Sequence, residues 1–273
     1  RQVMKNQSIQ SWTQKTFGFG LAVQAYQKRA VHLIKKLIQT SKDTECPLHI
    51  RLVKGAYWDT EIKHAQVLGL PEYTVFTRKA NTDLSYLACA QVMLKNRGTI
   101  YPMFGTHNAQ TIASILEFSK GVHNNFEFQR LHGMGENLYE QVLKNKAIKV
   151  SLYAPVGRHD HLLAYLVRRL LENGANSSFV HKIYDETVPV SSLTTDYVEA
   201  VRTHKTKRHS SIPLPKDIYD DRLNSAGFDL NDESTVKDLL DHIKKPTLKP
   251  LLNASKDEIN NAFQITNDGF KDW

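Results

Sequence analysis

Apolar and polar positions along the chain follow two rhythms that take turns from about residue 20 to residue 174. The runs "GLAVQAY" (residues 20–26), "LHIRLVKGAY" (48–57), "TIYPMFGTH" (99–107), "FEFQRLHG" (126–133) and "AIKVSLYAPV" (147–156) are short and apolar enough to predict β-strands. Between them the apolar residues fall three and four apart. "QKRAVHLIKKLIQTSK" (27–42) sets its lysines opposite an apolar stripe. "DTEIKHAQVLG" (59–69), "NTDLSYLACAQVMLKN" (81–96), "AQTIASILEFSKG" (109–121), "ENLYEQVLKNK" (136–146) and "DHLLAYLVRRLLENG" (160–174) predict further helices.

Five strand-then-helix units in succession argue for a parallel sheet, either open and doubly wound or closed into a barrel. The unusual polar residues favour the barrel. Gln24, Lys54, Thr106, His107, His132 and Tyr153 all lie at or near the carboxyl ends of predicted strands. A barrel builds its site from many strand ends, whereas an open sheet concentrates it at one switch point. The expectation is an α/β fold, a (βα)8 TIM-like barrel with roughly its last five βα units in view and the earlier strands upstream.

Beyond about residue 185 the rhythm stops. "SIPLPKDIYDDRLNSAGFDLND" (211–232) is rich in Pro, Asp, Asn and Gly and predicts an extended connector with one or two turns. After "KKPTLKP", Ser255 and Glu258 have capping-box spacing ahead of "INNAFQITNDGFKDW", a short amphipathic helix. The expected division is barrel over 1–185, connector over 186–252, and the opening of a further domain over 253–273.

Composition and charge narrow the picture only slightly. The 273 residues carry a formal net charge of +8, compatible with nucleic acid, an anionic membrane surface or an acidic ligand. Much of the excess sits in "RTHKTKRHSS" (202–211), which reads as a solvated connector. Two cysteines, Cys46 and Cys89, make neither a disulfide framework nor a metal-ligand spacing, so a reducing cytoplasm fits. No apolar run is long enough to span a bilayer, and the first residues lack a signal peptide's apolar core. The chain opens on Arg1, which reads as a piece of something longer.

Three constellations carry candidate chemistry. Tyr165, Arg168, Arg169 and Glu172 share one helical stripe in "AYLVRRLLENGANSSF". Two adjacent guanidinium groups suit a carboxylate or phosphate; an Arg–Glu salt bridge on a solvated face is the equal alternative. "RLVKGAYW" (51–58) puts Lys-Gly-Ala at a strand end, where bare backbone can approach a flat ring or a phosphate, or where the aromatics simply pack. "GTHNA" (105–109) opens a helix after a strand and can hold a pyrophosphate or ring carbonyl. No second ligand pairs with His107 at helical spacing, so no metal is expected. No nucleophile–base pair or paired carboxylates stand out, which suggests a cofactor that carries the chemistry and a small anion as substrate.

At these residues the chain resembles a known family. "RLVKGAYWDTEIKHAQ", "FTRKANTDLSYLACA", "THNA", "FQRLHGMGE", "YAPVG" and "LLAYLVRRLLENGANSSF" together are similar to the proline dehydrogenase barrel of the bifunctional proline utilization A flavoenzymes. The similarity runs from about residue 17 to 212. It implies a barrel that binds FAD without a Rossmann motif and oxidises L-proline to Δ1-pyrroline-5-carboxylate by hydride transfer to flavin N5. By the resemblance, Arg168 and Arg169 clamp the proline carboxylate while Tyr165, Tyr153, Leu131 and Tyr57 enclose its ring, and Arg51 lies beside N5. Arg51 and Tyr153 are the residues it places nearest the chemistry. Gln24, Val53, Lys54, Gly55, Ala56, Trp58 and Gln129 would line the flavin. Thr77, Arg78, Lys79, Thr106 and His107 would meet the phosphates, Glu172 would hold the arginine helix, and Ser178 and Phe179 would reach the adenine. The family passes its electrons to a membrane quinone, which implies a cytoplasmic protein resting on the inner membrane. It also carries a downstream NAD-dependent L-glutamate γ-semialdehyde dehydrogenase domain, whose first helix "DEINNAFQITNDGFKDW" resembles. Two alternatives remain: another flavin barrel such as a folate reductase, which would lack the YxxRRxxE stripe, and a non-catalytic nucleic-acid-binding segment. The family's DNA-binding region, where present, lies at the amino terminus, outside this chain.

Overall fold

The computed structural model describes residues 19–121, 124–174, 196–230 and 232–243, with residues 6, 11, 189 and 194 as single positions. Five parallel strands, β1 (Gly20–Gln24), β2 (Leu48–Val53), β3 (Ile100–Gly105), β4 (Glu127–Leu131) and β5 (Val150–Tyr153), lie side by side in sequence order. The helices α1 (Ala30–Thr44), α2 (Trp58–Val67), α3 (Lys79–Lys95), α4 (Ala109–Phe118), α5 (Glu136–Leu143) and α6 (His159–Gly174) follow them. These are five consecutive βα units of a TIM-like barrel, the parallel sheet that the alternation predicts and the closed form that the polar strand ends favour.

Period-2 alternation sorts each strand's side chains between two faces. Leu48, Ile50 and Leu52 of β2, Phe104 of β3 and Phe128 of β4 are fully buried under the helices. Ala30 and Ile34 of α1, Tyr86 and Met93 of α3, Ile115 of α4 and Tyr139 of α5 meet them there. At the centre, Phe126 stands edge-on to Phe104 and to Phe128 with ring centroids 5.8 and 5.9 Å apart, a favourable aromatic geometry. The alternate residues, His49, Arg51, Tyr101, Met103, Glu127 and Gln129, are half-buried on the inner face.

The strands end earlier than the apolar runs suggest: β2 stops at Val53, β3 at Gly105, β4 at Leu131 and β5 at Tyr153. The residues beyond them turn out of the ladder. Gly55 (φ 132°) and Gly133 (φ 78°) adopt backbone conformations that L side chains rarely tolerate. At Gly55 an added Cβ would also lie 2.4 Å from the Tyr26 ring. Both cysteines are buried thiols; burial pushes the Cys89 thiol up to about 11, leaving it inert as a nucleophile.

The connector is more structured than its composition suggests. It holds α7 (Tyr197–Arg202), a 3-10 turn (Pro215–Asp217) and α8 (Glu233–Ile243). Asp196 caps α7 by accepting from the backbone N–H groups of Val198 and Glu199 at 2.9 and 3.1 Å. Asp232 plays the same part before α8, where hydrogen bonds from Ser234 and Thr235 hold its carboxyl below the usual range. The charged run 202–211 is largely exposed, as expected, yet it is stitched down. Arg78 donates to Arg208 O (3.1 Å) and Thr206 Oγ1 (3.1 Å), Asn81 Nδ2 to Lys207 O (3.2 Å), and Tyr73 OH to Pro213 O (2.8 Å). Farther on, Gly227 N–H donates to Gly69 O, and each glycine is so close to the other's segment that a Cβ would strike backbone within 2 Å. The segment 196–230 is thus a strap across the α2–α3 side of the barrel. The candidate helix at 259–273 and its capping residues Ser255 and Glu258 lie outside the described residues. Among the described residues, no helix is long and apolar enough to cross a membrane.

Candidate active site

Helix α6 is turned the opposite way to an ordinary amphipathic helix. Leu163, Leu166 and Val167 are exposed, whereas Tyr165, Arg168 and Arg169, together with Leu162, are half-buried. Its polar stripe therefore faces the strand ends. Arg168 stacks on Tyr57, with Cζ 3.9 Å from the ring centroid, and donates to Ala56 O at 3.3 Å. Arg169 lies 5.1 Å from the Tyr165 ring centroid. An aromatic face orients a guanidinium plane without neutralising it, so Tyr57 and Tyr165 set the planes of the two forks.

The loop after β2 supplies the floor beneath α6. Lys54 and Lys79 both donate to Asp83, Lys54 to Oδ1 and Lys79 to Oδ2 at 2.8 Å. The Asp83 side chain is 3% exposed, and two lysines share this one buried carboxylate at the strand end. Trp58 is pinned by its indole N–H on Phe76 O at 2.8 Å, and Tyr26 OH donates to Glu61 Oε1 at 3.2 Å. Gln24 lies beside Val53 in register, and Val53 packs against Gly105, where an added Cβ would lie 3.3 Å from Arg51 Nη2.

From the neighbouring strands come the remaining members. Arg51 Nε donates to Gln129 Oε1 at 2.6 Å, and Arg51 Cζ lies 4.8 Å from the Tyr153 ring centroid. Burial raises the Tyr153 phenol above its ordinary value, so it keeps its proton at neutral pH. His107 accepts at Nε2 from the Leu131 N–H at 3.2 Å. Its pKa is pushed down to about 4 by burial first, then by Arg130, Arg169 and Arg51, which makes it a neutral imidazole. Thr106 O accepts from Tyr139 OH at 2.7 Å. Among the described residues, no group of three or more His, Cys, Asp or Glu is arranged to hold a metal ion.

The structure thus gathers Arg51, Lys54, Gly55, Ala56, Tyr57, Gln129, Leu131, Tyr153, Tyr165, Arg168 and Arg169 around one end of the sheet. Thr77 and Arg78 engage the strap instead: Thr77 Oγ1 accepts from His209 N–H at 2.9 Å, and Arg78 makes the two bonds already described. The side chain of Glu172 and the residues Ser178 and Phe179 lie outside the described residues. Two participants escaped the sequence reading. Asp83 is a lone acid in a helix 29 residues from Lys54, and Glu127, which accepts from Gln129 Nε2 at 2.9 Å, looks like any polar strand residue.

A pair of forks over aromatic walls, with cations and bare backbone below, has the chemistry to hold a small anion against a flat partner. The proline dehydrogenase family model matches residues 1–182. The bifunctional protein PutA of Salmonella typhimurium is 50% identical over 236 residues, 81% of this chain and 18% of that protein. Its Rhizobium meliloti counterpart is 48% identical over 235 residues, 84% of this chain and 19% of that protein. A crystal structure of a mutant Bradyrhizobium japonicum proline utilization A superposes with a TM-score of 0.81 at 47% identity, covering 99% of this chain and 27% of that one. The chain therefore spans about a fifth of the length of the curated relatives it matches. With the match over most of the barrel and the arginine stripe turned onto the strand ends, the chain belongs to the proline dehydrogenase family.

Proposed function

We propose that this chain supplies the proline grip and much of the flavin cradle of an FAD-dependent proline dehydrogenase that converts L-proline to Δ1-pyrroline-5-carboxylate, the first step of proline catabolism to glutamate. The observation that carries the reading is the inverted face of α6, which directs Arg168 and Arg169 inward while Leu163, Leu166 and Val167 face out.

The residues fit a flavin dinucleotide. Gly55 leaves its backbone bare against Tyr26, and Gly105 leaves room for the Arg51 guanidinium. Arg51 offers a permanent cation to an electron-rich ring edge, and Lys54 and Lys79 around Asp83 offer positive charge toward phosphates. FAD, when bound, accepts the hydride from the substrate ring. Everything else falls to the chain's own groups. Arg168 and Arg169 bind the carboxylate, Tyr57 and Ala56 O keep the Arg168 fork in plane, and Leu131, Tyr153 and Tyr165 wall the ring and exclude water. Tyr153 stays a phenol, so it packs and donates and does not act as a base. Fixing the carboxylate fixes the ring, and orientation alone is worth several kcal/mol in favourable cases.

The naming of the curated relatives as bifunctional supports a second, NAD-dependent semialdehyde dehydrogenase activity in a longer polypeptide. The reading extends to a membrane quinone as electron acceptor and to a cytoplasmic protein resting on the inner membrane; co-sedimentation with vesicles in the reduced and oxidised states tests that part.

The central test is steady-state oxidation of proline with an artificial electron acceptor by a flavin-loaded polypeptide containing this chain. Arg168→Ala and Arg169→Ala should each raise the proline KM by about 10- to 100-fold, the loss of a charge-assisted pair, with a smaller fall in kcat. Unchanged KM in both variants would show that the carboxylate is held elsewhere.

A further inference from the structure

Beneath the site, the inner face of the sheet carries a polar ladder that carboxylate binding does not require. Arg51 Nε donates to Gln129 Oε1 at 2.6 Å. Gln129 Nε2 donates to Glu127 Oε1 at 2.9 Å and lies 3.2 Å from Met103 Sδ. Glu127 Oε2 accepts from Tyr101 OH at 3.4 Å, and the Tyr101 ring rests on His49 with centroids 4.9 Å apart. Three strands contribute: His49 and Arg51 from β2, Tyr101 and Met103 from β3, Glu127 and Gln129 from β4.

Donor–acceptor chemistry allows the amide one orientation. A guanidinium only donates and a carboxylate only accepts, so Gln129 must turn its oxygen to Arg51 and its nitrogen to Glu127. The carboxylate thereby dictates the direction of the amide, and the amide dictates where the Arg51 fork points. Burial keeps His49 toward its neutral form, although Glu127 pulls the other way. Arg51 is then the cation to which Glu127 is joined, through one intervening residue.

We infer that Glu127 is a positioning residue: acting through Gln129, it locks the Arg51 guanidinium toward the flavin edge and tempers the positive charge presented there. The functional half of this inference rests on the reading of Arg51 as the residue at that edge. The geometric half does not, and the two are tested apart.

The first measurement needs no turnover. In 15N-labelled protein, the Arg51 Nε–H should exchange with solvent slowly, and Glu127→Gln should accelerate it about tenfold, since a Gln–Gln pair no longer forces one amide orientation. Gln129→Leu, which severs the ladder but keeps the carboxylate, should accelerate it as well and guards against a fault peculiar to the first variant. The second measurement is the midpoint potential of the flavin-loaded protein by dye equilibration. Glu127→Gln removes a negative charge behind Arg51, so the reduced-to-oxidised flavin ratio at a fixed solution potential should rise about tenfold, while the proline KM stays within twofold. Unchanged Arg51 exchange in both variants overturns the positioning role. Accelerated exchange with an unmoved potential overturns the placement of Arg51 at the flavin edge and leaves the ladder purely structural. A KM rise as large as the potential shift assigns Glu127 to substrate binding and overturns the inference.

Discussion

The two faces of the five-stranded sheet are made by the same strands and differ by a single step along them. On the helix side, Leu48, Ile50, Leu52, Phe104 and Phe128 are fully buried. One residue away, His49, Arg51, Tyr101, Met103, Glu127 and Gln129 line the inner face and are joined by hydrogen bonds and ring contacts. Stability comes from the first face, where each apolar side chain is worth about 1.5–3 kcal/mol of burial. Chemistry comes from the second, where net gain per hydrogen bond is small and direction is what matters. A register slip of one residue would exchange the two sets, which is why the apolar face also fixes where Arg51 points.

The sharpest way to break this division is to damage one face and read the other. Phe128 packs among Phe104, Phe126 and Tyr139 with centroids 6.1, 5.9 and 6.4 Å away. Phe128→Ala should cost about 3–5 kcal/mol in urea unfolding, whereas its neighbour Gln129→Leu should cost about 1–2 kcal/mol and disturb Arg51 instead. Comparable losses at both positions would mean that the inner face is as much a core as the outer one.

His107 sits at the end of β3 where the faces meet, and it gives a pH handle on the comparison. Its imidazole accepts from Leu131 N–H and titrates near about 4 in the folded chain, below its ordinary 6.5. The unfolded chain therefore takes up a proton before the folded one does. The stability contributed is full above pH 6.5 and is lost as pH falls from about 6.5 to about 4, by up to about 3 kcal/mol. His107→Gln keeps an acceptor for Leu131 and cannot titrate. The unfolding free energy of the wild type should drop relative to this variant between pH 7.5 and 4.5, and parallel curves would show that the fold takes up the proton as readily as the unfolded chain does.

How much of this the sequence discloses follows the same division. Period-2 and helical spacing disclose the apolar face, and all five strands and their helices fall where the pattern puts them. The Tyr165–Arg168–Arg169 stripe is legible too, because three polar or aromatic residues at helical spacing after "LLAYLV" are out of place on an apolar helix. The partners of the polar residues are not legible. Asp83 binds Lys54 across 29 residues, and Glu127 reaches Arg51 only through Gln129; neither link leaves a periodic trace. The early ends of the strands are hidden for a related reason, since "VKGAYW" stays apolar while glycine backbone geometry turns it out of the sheet. Helix α8 buries none of its residues, so nothing in the core demanded it, and the run of Pro, Asp and Gly before it reads as coil.

The strap is the extreme case, a region that rests on a few apolar anchors, Tyr197, Ile212 and Pro215, and is otherwise tied down by polar contacts to main chain. Arg78, Asn81 and Tyr73 donate to backbone carbonyls of residues 207, 208 and 213, and a carbonyl is available at any residue type, so no spacing announces the match. Such a region should open by itself, without the barrel. Arg78→Ala removes two of its bonds at a half-buried position, worth about 1 kcal/mol or roughly fivefold in the population of the opened strap. Trypsin at Lys205, Lys207 and Arg208 reads that population directly when opening is fast relative to cleavage. Cleavage in the strap should accelerate about fivefold while the urea midpoint of the barrel stays put. A fall in that midpoint with no gain in strap cleavage would mean that strap and barrel unfold as one body, and that the connector is as much a part of the core as Phe128.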